Sequence, residues 1–227
     1  MWRIAAPMIL SNVSVPLLGM VDTGVVGHLD SPTYLGAVAI GGTIFTFLYI
    51  GMNFLRMGTT GLIAQAHGRE DLPDQLVTVV RSCALGVLFG LLLLLCQEVL
   101  LTLSLRVMAP PADAGAITAE YFRIRIWAAP FTLLGYAITG VLFGLARVRT
   151  ILWLQLLLNI SNAVFNVTLV VGFGLGVPGV AWGTLIAQVL TAAISVWMML
   201  RIYGAGELGA VVREKTTWLL SGFRKLV

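Results

Sequence analysis

Residues 151–171 and 180–200 contain no charged side chain at all. Crossing the hydrocarbon core of a bilayer takes about 20 consecutive, mostly apolar helical residues. Lipid offers no partner to backbone N–H and C=O groups, so a spanning segment must be a helix or a strand of a closed barrel. Both runs far exceed the length of a barrel strand and lack its alternation of apolar and polar residues. Each is therefore predicted to be a membrane-spanning helix.

Four more stretches have the same character. Residues 4–27 carry Asp22 as their only charge, and residues 34–66 carry only Arg56, a run too long for one upright span. Residues 77–105 contain the dense core LGVLFGLLLLLC, and residues 116–145 open with an amphipathic lead-in to an apolar stretch. The pattern predicts an all-α integral membrane protein with six transmembrane helices in one lobe over residues 1–203. Composition agrees: 59% hydrophobic and 11% charged residues, with a mean hydropathy of +0.97, lie far outside the range of soluble domains. No internal repeat stands out across the six helices. The opening MWRIAAPMIL has one basic residue and no small-residue cleavage site, and it reads as part of a retained helix.

The basic residues report topology. Arg3, Arg69, Arg81, Arg147, Arg149, Arg201, Arg213, Lys215, Arg224 and Lys225 fall on one side, against Arg106, Arg123 and Arg125 on the other. The positive-inside bias then places both termini in the cytoplasm; the expected location is the inner (plasma) membrane of a prokaryote. The net charge of +4 is dispersed over the ends of spans and makes no nucleic-acid patch. Cys83 and Cys96 stand 13 residues apart on one predicted helix, too far along its axis to be bridged. Residues 204–227 are glycine-punctuated and basic, with Trp218, Leu219, Leu220, Phe223 and Leu226 available for one face of an interfacial helix on the cytoplasmic side.

Polar side chains inside the spans are the candidates for function. An ionised carboxylate in hydrocarbon is costly, so an intramembrane acid normally faces a cavity or a partner. Asp22 shares its helix with Asn12 and with Pro16, which donates no N–H and lets the helix bend. On the fifth helix Asn159, Asn162 and Asn166 recur at i, i+3 and i+7 and share one face. The sixth has Thr184, Gln188, Thr191 and Ser195 in a similar stripe, and the second has Tyr49, Asn53, Arg56 and Thr60. Helix-to-helix hydrogen bonding accounts for the Thr and Ser positions. Asp22 with three asparagines suits a hydrated cavity that binds and releases a proton or a small cation. Arg56 needs a partner, and Glu98, near the outer end of the third helix, is at the wrong depth for it. Neither a hydrolase, protease nor nucleotide-binding motif is present. The chain is not expected to be an enzyme or to carry a metal or cofactor.

Two stretches, PMILSNVSVPLLGMVDTGVVGHLDSPTYLGAVAIGG and FLRMGTTGLIAQAHG, resemble the multidrug and toxic compound extrusion (MATE) transporters, in their DinF-like branch. The resemblance implies a fold of two six-helix lobes related by a pseudo-twofold axis, with alternating access and cation-coupled export of organic, often cationic compounds. This chain resembles the N-terminal lobe only. The likeness implies that Asp22 is the proton or cation site and that Pro7 is the bending proline. It also implies that Asn162, Asn166 and Thr184 line the cavity, with Tyr121 at the head of the fourth helix. Where the family branch has a carboxylate, this sequence has Asn166; one acid in place of two argues for a proton rather than sodium.

The expected function is thus one lobe of a proton-coupled multidrug exporter. Its expected partners are membrane lipid, a small organic substrate and a second six-helix lobe, supplied by another chain or by another copy. The alternatives are a lipid-linked precursor flippase of the same superfamily, and a truncated membrane protein that transports nothing.

Overall fold

The computed structural model describes residues 24–27, 31–218 and 226. The described residues form helices joined by short turns: α1 (Pro32–Ile50), α2 (Asn53–Gly68), α3 (Leu72–Leu95), α4 (Gln97–Met108), α5 (Ala112–Arg125), α6 (Ala129–Gly144), α7 (Val148–Val167), α8 (Gly176–Tyr203) and α9 (Ala205–Arg213). Five stretches among them are long and apolar enough to cross a membrane: Pro32–Gly68, Leu72–Leu95, Ala112–Gly144, Val148–Gly172 and Gly176–Tyr203. The first expected span, residues 4–27, lies outside the described residues except for its last turn. Among the described residues there is helix and no strand, arranged as apolar spans, which makes this an all-α membrane lobe.

The overlong second run is one span broken at Gly51 and Met52 into α1 and α2. The third run divides at Cys96, after which α4 carries Glu98 and Arg106 away from the apolar core of α3. In the fourth, residues Ile126–Ala128 tighten into a 3-10 turn between α5 and α6. Pro130, in the first turn of α6, is the cause: it donates no hydrogen bond to the carbonyl four residues back, and its ring crowds that carbonyl. Past α7, Thr168–Gly172 widens into a π-helical turn. The chain then reverses through Gly174 and Gly176, whose φ values of 68° and 56° suit glycine.

Helix α6 is the hub, packed most extensively on α3 and α2, with α8 and α7 on its remaining sides. Close backbone approach makes this possible. A Cβ on Gly90 would lie 2.2 Å from Pro130 Cα and one on Gly86 2.7 Å from the Leu133 carbonyl oxygen, so α3 meets α6 backbone to backbone. On the other side, a Cβ on Gly140 would lie 2.7 Å from the Arg56 carbonyl oxygen, and one on Gly144 2.6 Å from Ile63. Both pairs have the small-xxx-small spacing that brings membrane helices together. The same pentapeptide, GVLFG, supplies both, at 86–90 and 140–144.

Candidate functional site

Consecutive antiparallel helices α7 and α8 pack closely, and they bring three polar side chains into one hydrogen-bonded row. Asn166 Nδ2 donates to Asn162 Oδ1 at 3.2 Å, Asn162 Nδ2 donates to Thr184 Oγ1 at 3.0 Å, and the Thr184 hydroxyl donates to the Val180 carbonyl at 3.0 Å. Asn162 and Asn166 are 0% exposed and Thr184 2%. The spacing explains the row: Asn162 and Asn166 are one turn apart on α7, and Thr184 lies opposite on the facing helix. Gly183 gives it room, because a Cβ there would lie 2.1 Å from Asn166 Oδ1 and 3.0 Å from its backbone N.

The row is neutral. Amides and a hydroxyl donate and accept hydrogen bonds, so they can orient a cation or a water, while carrying a proton falls to an acid. Asp22, the acid in the expected set, lies outside the described residues, as do Asn12, Pro7 and Pro16. Val26, four residues after Asp22, is buried in the core cluster that also holds Val170 and Val180.

Two of the remaining expected positions, Asn159 and Gln188, flank this row on α7 and α8. Asn159, half-buried, accepts from Gln155 Nε2 at 3.4 Å, one turn below Asn162. Gln188 is half-buried one turn beyond Thr184 on α8. Tyr121 is fully buried and accepts at its hydroxyl from the Arg125 guanidinium. Its ring fills the space over Gly41, where a Cβ would come within 2.5 Å of it.

Sequence reasoning missed the aromatic nest around Arg125. That guanidinium lies 4.9 Å from the Phe45 ring centroid and 5.4 Å from that of Tyr121. Phe122 stacks on Phe45, and Tyr49 meets Tyr136 edge-on. The signal was available, since Phe45 and Tyr49 stand one turn apart on α1 and Tyr121 and Arg125 one turn apart on α5, but their pairing depends on which helices become neighbours. Glu98 is engaged elsewhere than Arg56: Arg123 grips it through two bonds of 2.9 and 3.0 Å. That hydrogen-bonded guanidinium holds the Glu98 carboxyl below its ordinary value of 4.5.

Among proteins of known family, the model described as MatE matches residues 7–168. The chain belongs to the MatE family. It is 38% identical to DNA damage-inducible protein F of Escherichia coli K12 over all of its own length and 49% of that protein's. It is 30% identical to the chloroplastic Protein DETOXIFICATION 44 of Arabidopsis thaliana, over 86% of this chain and 40% of the relative. The fold matches a multidrug resistance MATE family transporter of the MOP superfamily, in its outward-facing conformation, with a TM-score of 0.80 and 23% identity, over 87% of this chain and 44% of that one. The chain spans about half the length of the curated relatives it matches. Membership and the five apolar stretches make this a multi-pass membrane protein of a family whose members are transporters and not enzymes.

Proposed function

We propose that the chain forms the N-terminal lobe of a secondary active multidrug exporter, in which Asp22 carries the coupling proton and the row Asn166, Asn162 and Thr184 forms the polar wall beside it. One observation supports this most. Val26, Val170 and Val180 share a buried cluster, and Asp22, Asn166 and Thr184 each stand four residues, one helical turn, from one of them. With the first and fifth spans running one way and the sixth the other, that turn leads in the same direction along all three. This supports a reading in which the acid and the amides meet at one level.

In this reading the ionised Asp22 attracts an organic cation, with amide and hydroxyl dipoles around it. Protonation neutralises the acid, weakens the hold on the substrate, and favours a bent first helix and a collapsed cavity. A second six-helix lobe, in another chain or another copy, supplies the opposite gate. The basic residues of alternate loops support cytoplasmic termini; an alkaline phosphatase fusion at Val227 is then expected to be inactive. A flippase for lipid-linked precursors is less well supported, because the Arg125 guanidinium is already occupied by Tyr121 and the Phe45 ring.

The test is binding of a fluorescent organic cation to the purified chain across pH. Binding should tighten as pH rises and Asp22 ionises, and Asp22→Asn should remove that dependence. Binding that is flat with pH, or whose pH profile Asp22→Asn leaves unchanged, sinks the coupling role.

A further inference from the structure

A cavity lies far from the amide row. It measures about 270 Å³, is almost wholly apolar, and is walled by α3, α6, α8 and α9 with Trp218 at its edge. Met199, in its wall, is 15 residues beyond Thr184, roughly 22 Å along α8. It therefore lies toward the other end of the lobe, near the membrane face that bears Arg69, Arg147 and Arg149.

An apolar hollow in a bilayer gains nothing by excluding water, because lipid tails are as apolar as the missing side chains. Whatever prefers it must be chosen by its rim. Three arginines flank the wall, each directly following a lining residue: Arg81 after Val80, Arg201 after Leu200 and Arg213 after Val212. Arg201 holds its guanidinium 5.2 Å from the Trp197 ring centroid, on the flank of α8 beside the lining residues Val196 and Leu200. Arg81 Nε donates to the Thr217 carbonyl at 2.7 Å and so fastens the segment bearing Trp218 onto α3. The Trp218 indole donates to the Val212 carbonyl at 3.0 Å, which turns its ring toward the cavity as an interfacial tryptophan. Glu207 and Glu214, exposed on the same segment, reduce the local charge but leave arginine in excess.

We propose that this cavity is a binding site for an anionic phospholipid, with one acyl chain in the hollow and the phosphate at Arg201 and Arg213. Arginine forks match phosphate oxygens, and basic pockets between spans on the cytoplasmic side suit anionic headgroups. The lipid would bridge α3 and α8 to α9, and so hold the segment after the sixth span against the lobe. The site is independent of the transported substrate and of Asp22.

Native mass spectrometry of the full chain tests it, with 1-palmitoyl-2-oleoyl phosphatidylglycerol, the phosphatidylcholine of the same chains, and inorganic phosphate. Phosphatidylglycerol should be retained in preference to phosphatidylcholine, and phosphate alone should not bind. The double variant Arg201→Gln/Arg213→Gln should weaken phosphatidylglycerol retention about tenfold or more, with helicity unchanged. Ala84→Phe, which fills the hollow from α3, should abolish it. Equal retention of the two lipids by the unaltered chain overturns the proposal however the variants behave, as does undiminished phosphatidylglycerol binding by the well-folded double variant.

Discussion

Asn162 is the residue through which the polar row holds together: it accepts from Asn166 and donates to Thr184. Asn162→Ala removes both bonds, of which the one to Thr184 crosses between helices; interhelical bonds in membranes are worth about 0.6 kcal/mol on average and about 1.7 at most. A loss in that range is expected in the unfolding free energy measured in detergent. Gly183→Ala should cost more, about 1–3 kcal/mol. Its Cβ would meet both the side-chain oxygen and the backbone N of Asn166: a change of Asn166 rotamer relieves the first contact only by breaking the amide row, and the second still requires the two helices to part by a few tenths of an ångström. A Gly183→Ala protein as stable as the parent contradicts the packing described for α7 and α8. The asparagines were legible in the sequence because their spacing puts them on one face. The need for glycine at 183 was not, since it depends on what stands opposite.

The spans were visible as runs without charge, and the breaks inside them were much less so. Pro130 marks the turn at Ile126–Ala128, but nothing beyond an ordinary glycine marks the break at Gly51, and Cys96 has no breaking residue near it. Such breaks follow from tertiary packing: α1 leans on α5, while α2 leans on α6. Turns between helices follow local rules more closely. Between α6 and α7 the chain reverses at Ala146, whose φ of 56° is left-handed, with Arg147 N–H closing onto the Leu142 carbonyl at 2.8 Å. A side chain is strained there by about 1 kcal/mol relative to glycine. Ala146→Gly should therefore raise the unfolding midpoint in detergent, and a lowered midpoint would show that the turn is held by something other than this cap.

At the scale of the whole molecule, the described helices form one lobe around α6, and the two sites occupy opposite ends of it. The amide row joins α7 to α8 in the half nearer Val26, and the apolar cavity joins α3 and α8 to α9 in the other. Sequence could separate these ends, because the polar stripe and the basic loops are each local patterns. It could not show that α6 is surrounded, since every span is apolar on most faces and lipid and protein neighbours are chemically alike. Only the paired glycines carry that information.

Those glycines also set an order of assembly. Helices α2 and α3 emerge from the ribosome well before α6, yet the groove at Gly86 and Gly90 is shaped for the α6 backbone. Until Ala129–Gly144 is made, that groove faces the bilayer, and the hairpin of α2 and α3 is a template without its counterpart. A nascent chain arrested before Ala129 should be cleared by membrane proteases faster than one arrested after Gly144, as pulse-chase labelling would show. Equal lifetimes would mean that the hairpin is already secure alone. A substitution at Gly86 or Gly90 would then do its damage during synthesis, lowering the amount of protein in the membrane before it affected what the finished lobe can do.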